Sequence, residues 1–324
     1  MSTPTYLYPY MDFLEALSSI SPSLSFDEPL SKHTTFRVGG PASITVSPQS
    51  REELVKVFEL VKRMTPSLPI CLLGKGSNVV FDDEGYGGLV IFTSGMQNVN
   101  FHSADEEGYT NVTAECGASL TVLSRQCATE GRSLEGLAFA YGIPGTIGGA
   151  IVMNAGAFGG EISDIVHSVD YYDPQTGDII TADKEDLHFA YRHSLFTEHP
   201  EYVVLSTTLR MKEGVNEIIV DQMAANMTTR RLKQPVELPN AGSVFKRPEG
   251  YFAGKLIEDS GLKGFRIGGA QVSEKHAGFI VNTGDATAED IKSLVAHVAH
   301  VVKVNFGVTL EREIRYITTK RNGD

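Results

Sequence analysis

The stretch from Gly136 to Gly160, GLAFAYGIPGTIGGAIVMNAGAFGG, constrains the fold more than any other part of the chain. Glycine and proline recur through it, and each weakens both a regular helix and a central strand. Neither element is therefore predicted here. Yet Ile143, Ile147, Ile151, Val152, Met153 and Phe158 are too apolar for a solvated linker. A buried, irregular, glycine-rich segment keeps many backbone N–H groups free and places no Cβ in the way of a close approach. Such a segment can close on a phosphate and donate to its oxygens. It can equally be a tightly packed crossover between two elements, and taken alone the two readings weigh about the same.

A second glycine cluster, Gly74-Lys75-Gly76-Ser77-Asn78, follows LPICLL. That short apolar run reads as a strand buried on both faces, with Cys71 a buried thiol. A glycine loop after a strand suggests the dinucleotide fingerprint, but the pattern fails. Val79 stands where the third glycine belongs, FDDEGYGG makes a turn where a helix should open, and no acidic residue lies about twenty positions on. A phosphate loop remains open to it, with backbone N–H groups, the Ser77 hydroxyl and the Asn78 amide as donors.

Around these loops the periodicity is that of an α+β protein. Met11 to Ile20 fit one helix. Ser50 and Glu53 form a capping box ahead of the stripe Leu54, Val57, Phe58, Val61. SITV, YTNVTAEC and YVVLSTTLRM read as strands, Leu120 to Thr129 as a helix closed by Gly131, and Asp173 to Gly177 as a hairpin turn. EIIVDQMAANMTTRRLK, Phe252 to Asp259, and the segment after Thr287 read as helices, with GFIVN and VTLEREIRYI as strands. The β-rich part gives way to a helix-bounded α+β tail near residue 213.

With 324 residues, two or three domains are expected. The 28 basic and 40 acidic residues give a net charge of −12, which argues against nucleic acid or an anionic membrane as the main partner. The three cysteines sit at no metal spacing and are too few for a disulfide framework. Neither a signal peptide nor a membrane-length apolar run is recognisable, so a cytoplasmic protein is expected.

Against that acidic balance, residues 230–255 reverse sign, with Arg230, Arg231, Lys233, Lys246, Arg247 and Lys255 against Glu237 and Glu249. Such a run is usually solvated surface, and Arg230 and Arg231 suit a helix C-terminus. Lys233, Lys246 and Arg247 bracket Asn240-Ala241-Gly242-Ser243, which favours an anion site. Ser243 lies in no nucleophile elbow. His188, His193 and His276 read as isolated surface or core histidines. Arg192, among the apolar residues of FAYRHSLF, either meets an anion or forms a structural salt bridge. Glu311 and Glu313 would share one face of a strand, opposite Leu310 and Ile314.

Seven motifs in order, TTFRVGGPA, LGKGSNVV, GIPGTIGGAIVMNAGAFGGEI, YRHSLF, PNAGSVFKRP, GGAQVSEKHAGFIVN and LEREIR, resemble the UDP-N-acetylenolpyruvoylglucosamine reductase family from about Thr34 to Arg315. The resemblance implies an α+β protein with a vanillyl-alcohol-oxidase-type (PCMH-type) FAD-binding fold of two α+β subdomains plus a C-terminal α+β substrate-binding domain. Residues 1–213 would bind FAD, with a subdomain boundary near 95–105. Residues 214–305 would bind substrate, and 306–324 would return to the FAD-binding region.

The implied reaction is the NADPH-dependent reduction of UDP-N-acetylglucosamine enolpyruvate to UDP-N-acetylmuramate through FAD, in peptidoglycan precursor synthesis. Arg192 would polarise the substrate carboxylate, Glu313 would assist the enolate from a protonated or hydrogen-bonded carboxyl, and Ser243 would supply the proton. Gly74, Lys75, Gly76, Ser77, Asn78, Gly145, Thr146, Gly148, Gly149, Asn154 and Gly156 would hold FAD. Lys233, Lys246 and Arg247 would hold substrate, and no metal is implied. Two departures from the family stand out. The tyrosine loop of some members is missing after YVVLSTTLRM, and Arg247 replaces the asparagine of F-K-N-P. The alternatives are another FAD-dependent oxidoreductase of this fold, acting on a hydroxy acid or sugar, and a sugar-nucleotide-binding regulator.

Overall fold

The structure, a computed structural model, describes residues 3–129 and 131–319, so the last five residues of the expected C-terminal stretch lie outside it. Contacts divide the chain into two units. One comprises Met1–Phe26, Thr45–Gly74 and Val90–Thr228; the other comprises Asp27–Ile44, Lys75–Leu89 and Thr229–Asp324.

The first unit is built on an antiparallel sheet of five strands, ordered Ile179–Asp183, Val166–Tyr172, Val203–Lys212, Tyr109–Glu115, Val99–Ala104. Its central strand is rich in β-branched residues, which fit a pleated, half-buried surface. The expected hairpin forms at Asp173–Gly177. Gly177 takes φ +86°, and its N–H donates to the Asp173 carbonyl at 2.8 Å. Helix Met11–Ile20 packs on helix Arg51–Met64 through Phe13, Leu14 and Leu17 on one side and Leu54, Val57, Leu60 and Val61 on the other. Ser50 caps the second helix by accepting from the Glu53 N–H at 3.2 Å. The Glu53 carboxylate returns to the Gln49 N–H, one residue earlier than a capping box requires.

The glycine-rich run departs from its sequence reading, because Ile147–Met153 is a short α-helix. Packing overrides propensity here. A Cβ on Gly148 would stand 3.0 Å from Cys116 Cβ and 3.1 Å from Cys116 O, so glycine lets this helix settle against the chain at Cys116 without displacing it. The Gly148 N–H donates to the Cys116 carbonyl, and Ile147 and Ile151 are fully buried. Two other expectations shift. Ile70–Leu73 is a strand, but only Leu73 is buried and Cys71 is half-buried. VTLEREIRYI is a strand only over Arg315–Ile317; before it the chain makes a single bridge, Arg312 with Phe245.

In the second unit, helix Ala288–Phe306 lies on a three-stranded antiparallel sheet of Arg266–Ile267, Ala270–Val272 and Ile280–Asn282. Ile291, Leu294, Val298 and Val302 from that helix join Phe36, Val80, Val244, Phe245 and Ile314 in one core. Thr287 caps the helix through a full capping box with Asp290. The Asp83 carboxylate adds a second cap, accepting from the Ala288 and Glu289 N–H groups at 2.8 and 3.0 Å. Lys292, one turn on, pairs with Asp82. These contacts fix the turn after strand Val79–Phe81, which pairs in parallel with Arg315–Ile317.

Candidate active site

In the first unit, strand Ile70–Leu73 ends at Gly74, which abuts the N-cap of the glycine-rich helix. A Cβ on Gly74 would lie 2.5 Å from Thr146 Oγ1. Thr146 is buried, and its hydroxyl caps the helix by accepting from the Gly149 N–H at 3.3 Å. Gly149 differs from Gly148. It is exposed, and a Cβ there would meet only Thr146 Oγ1, at an ordinary 3.5 Å. The protein's own packing thus accounts for Gly148 but not for Gly149. A bare, accessible backbone beside a glycine-kept gap fits the diphosphate of a dinucleotide such as FAD, whose oxygens accept from backbone N–H groups.

Asn154 ends that helix in the left-handed conformation, φ +42°. It is fully buried; its Nδ2 donates to the Ala190 carbonyl at 3.0 Å, and its Oδ1 accepts from the Ser163 N–H at 3.2 Å. Arg192 is drawn to the same place, donating to the carbonyls of Asn154 at 3.3 Å and Gly156 at 3.1 Å. Asn154, Gly156 and Arg192 therefore converge. Asn154 and Gly156 hold the Arg192 guanidinium through their backbone carbonyls, a contact that residue type alone did not disclose.

The remaining residues of the first glycine loop belong to the second unit. Gly76 has φ +58° and packs under His33, whose carbonyl oxygen would be 2.1 Å from a Cβ. Asn78 is tied to the C-terminal segment: its Nδ2 donates to the Glu313 carbonyl at 3.3 Å, and its own carbonyl accepts from the Arg315 N–H at 3.0 Å. Lys75 is exposed and Ser77 half-buried.

Ser243 lies on a segment threaded between two others. It bridges Phe279, while the Val244 carbonyl accepts from the Glu313 N–H at 2.8 Å. Ser243 and Glu313 are thus brought onto neighbouring backbones, and Asn78 holds Glu313 from the other side. Next door, Gly242 takes φ +77°, which favours glycine, and its N–H donates to the Asn240 side-chain oxygen at 2.9 Å.

The basic run is less uniform than its sequence suggests. Lys246 pairs with Glu311 at 2.6 Å, Lys255 pairs with Asp259, and the Arg247 guanidinium lies 4.0 Å over the Phe252 ring. Arg230 is buried, which lowers its pKa, and it donates to Gln234 at 3.0 Å. Lys233 is exposed at the end of helix Asn216–Lys233. His276, read as a surface or core histidine, is half-buried, with Nδ1 accepting from the Gly278 N–H at 3.1 Å. His188 and His193 are not isolated, since both bond to Glu198. Among the described residues no group of His, Cys, Asp and Glu is arranged to hold a metal ion, and no helix is long and apolar enough to cross a membrane.

Residues 42–183 match an FAD binding domain, which together with the relatives that follow makes this chain an FAD-dependent oxidoreductase. Residues 234–317 match the C-terminal domain of UDP-N-acetylenolpyruvoylglucosamine reductase. The enzyme of that name from Lachnoclostridium phytofermentans is 46% identical over 91% of this chain and 93% of its own. That from Clostridioides difficile is 44% identical over 95% and 97%. The crystal structure of the Thermus caldophilus reductase superposes with a TM-score of 0.73 at 34% identity, covering 90% of this chain and 97% of that one. The chain belongs to the UDP-N-acetylenolpyruvoylglucosamine reductase family.

Proposed function

We propose that this protein reduces UDP-N-acetylglucosamine enolpyruvate to UDP-N-acetylmuramate at the expense of NADPH, in the cytoplasm, as a step of peptidoglycan precursor synthesis. Residues 1–213 would carry FAD, 214–305 the substrate, and 306–324 the return to the FAD-binding region. Bound FAD would supply the chemistry of hydride transfer between NADPH and the enolpyruvyl double bond. The backbones of Gly74–Asn78, Gly145–Gly149 and Gly156, with buried Asn154 fixing the end of the helix, would hold it.

The chain's own groups handle charge and proton. Arg192 binds the substrate carboxylate through its planar guanidinium, drawing off the negative charge that grows beside it during reduction. Glu313 steadies the resulting enolate, and Ser243 donates the proton that completes the product. Lys233, Lys246 and Arg247 meet the diphosphate. Because Lys246 is paired with Glu311, its engagement requires an exchange of partners.

The observation that carries this reading is the junction of Ser243 and Glu313 through Val244, on a chain with 46% identity to a reductase of that name. Ser243→Ala tests it. Stopped-flow reduction by NADPH should keep its rate, while reoxidation by the enolpyruvyl substrate should slow by about 10²–10⁴-fold, the usual worth of a general acid. Reoxidation at the wild-type rate would assign the proton to another group.

A further inference from the structure

We infer that Glu198 is the positioning residue for Arg192: its carboxylate joins the two histidines that flank the Arg192 turn. This rests on Arg192 binding the substrate carboxylate, as proposed above.

The turn needs holding. Arg192 has φ +55° and His188 φ +49°, both in the left-handed region that non-glycine side chains disfavour. Around Arg192, Ala190 and His193 close a tight turn by exchanging backbone hydrogen bonds of 3.2 and 3.1 Å. One side of the turn is fastened to the glycine-rich helix. The Asn154 amide donates to Ala190 O, and the Ser194 hydroxyl donates to Val152 O at 2.8 Å. The Arg192 guanidinium itself lies on the Asn154 and Gly156 carbonyls.

The other side is fastened by the Glu198 carboxylate. One oxygen lies 3.0 Å from His188 Nδ1 and the other 2.8 Å from His193 Nε2, so a single carboxylate spans the residues before and after the turn. His193 cannot swing, because its Nδ1 lies 3.0 Å from Thr197 Oγ1. Glu198 is itself set by the short helix Leu195–Glu198, whose first turn Ser194 and Thr197 close reciprocally. Both histidine bonds hold the Glu198 carboxyl below the usual carboxylate range. The three side chains are well exposed, so water and salt screen their attraction. What they supply is geometry: a strained backbone fixed on both flanks presents the guanidinium in one orientation.

Glu198→Gln in the holoenzyme tests this with two readouts. Trypsin cuts after arginine, so cleavage of the native protein at the Arg192–His193 bond reports how often the turn opens. It should accelerate about threefold to fivefold. KM for the enolpyruvyl substrate should rise by a similar factor, with flavin reduction by NADPH unchanged. His188→Asn, which suits a left-handed backbone but cannot reach the carboxylate as the ring does, should reproduce both changes. Unchanged cleavage in both variants would overturn the inference. Faster cleavage with an unchanged KM would keep the clamp and overturn instead the assignment of Arg192 to the substrate carboxylate.

Discussion

Gly74 and Thr146 stand so close that a single methyl group on the glycine would come within 2.5 Å of the threonine hydroxyl. The end of a strand and the cap of a helix are thereby locked together, although 70-odd residues separate them in sequence. Gly74→Ala should push Thr146 off Gly149 and lose a helix cap, at a cost of about 1 kcal/mol. The variant should purify with less flavin per protein, read from the ratio of flavin to protein absorbance. Full flavin content with unchanged thermal stability would show that the gap has no bearing on the loop.

Gly148 and Gly149 should respond in opposite ways. Gly148→Val forces a branched side chain into Cys116 and should destabilise the protein by about 1–3 kcal/mol through overpacking. Gly149→Ala meets nothing tighter than an ordinary contact with Thr146 and improves helix propensity by up to about 1 kcal/mol, so the apoprotein should melt at the same or a higher temperature. Its affinity for FAD should nonetheless fall, because the new methyl group covers the exposed backbone. Calorimetry of the apoprotein and FAD titration separate the two effects. A Gly149→Ala protein that bound FAD normally would remove Gly149 from the cofactor site.

His276 should give the protein an acid-sensitive contribution to stability. Burial pushes its pKa below the usual 6.5. Below that value the unfolded chain binds a proton that the folded imidazole refuses, so stability falls as the pH drops from 6.5 toward the lowered folded pKa. Above 6.5 this group contributes no slope. The limit is about 1.4 kcal/mol per pH unit. Comparing urea unfolding at about pH 7.5 and about pH 5.5, His276→Gln should lose less stability on acidification than the wild type. Equal losses would assign the acid sensitivity elsewhere.

The thiols should divide by burial. Cys116 and Cys127 are buried, and desolvation raises their pKa to about 12, so almost no thiolate forms at neutral pH. Cys71 is half-buried. Ellman's reagent on the native protein should titrate Cys71 at most, and all three cysteines after unfolding. Labelling of Cys116 in the native state would mean that the glycine-rich helix packed on it opens readily.

Where local pattern and packing agree, the sequence was easy to read. The apolar stripe behind Ser50, the turn at Asp173–Gly177 and the cap at Thr287 all form as their residues indicate. The glycine-rich helix was hidden because its two glycines argue locally against a helix, and the reason for one of them, Cys116, lies some thirty residues upstream. The C-terminal segment misled in the opposite sense. Leu310 to Ile314 alternate as a strand would, but their partners are a single bridge, a side-chain amide and scattered backbone bonds to Val244 and Lys246 rather than a ladder. At the site, motif order pointed to Arg192, Ser243 and Glu313. It could not show that Asn78 grips the Glu313 carbonyl or that Glu198 spans two histidines, since those contacts depend on side-chain direction.

The pairing of Arg315–Ile317 with Val79–Phe81 also fixes when the protein can be completed. Asn78 and Glu313 are separated by 235 residues. At a synthesis rate of about 5–20 residues per second, the earlier strand waits roughly ten to fifty seconds on the ribosome for its neighbour to be made. Throughout that interval the nascent chain carries an unpaired strand edge, which a chaperone or another chain can cover. The loop at Asn78 acquires the hydrogen bonds that hold it to Glu313 and Arg315 only once that distant segment has been made, long after its own synthesis.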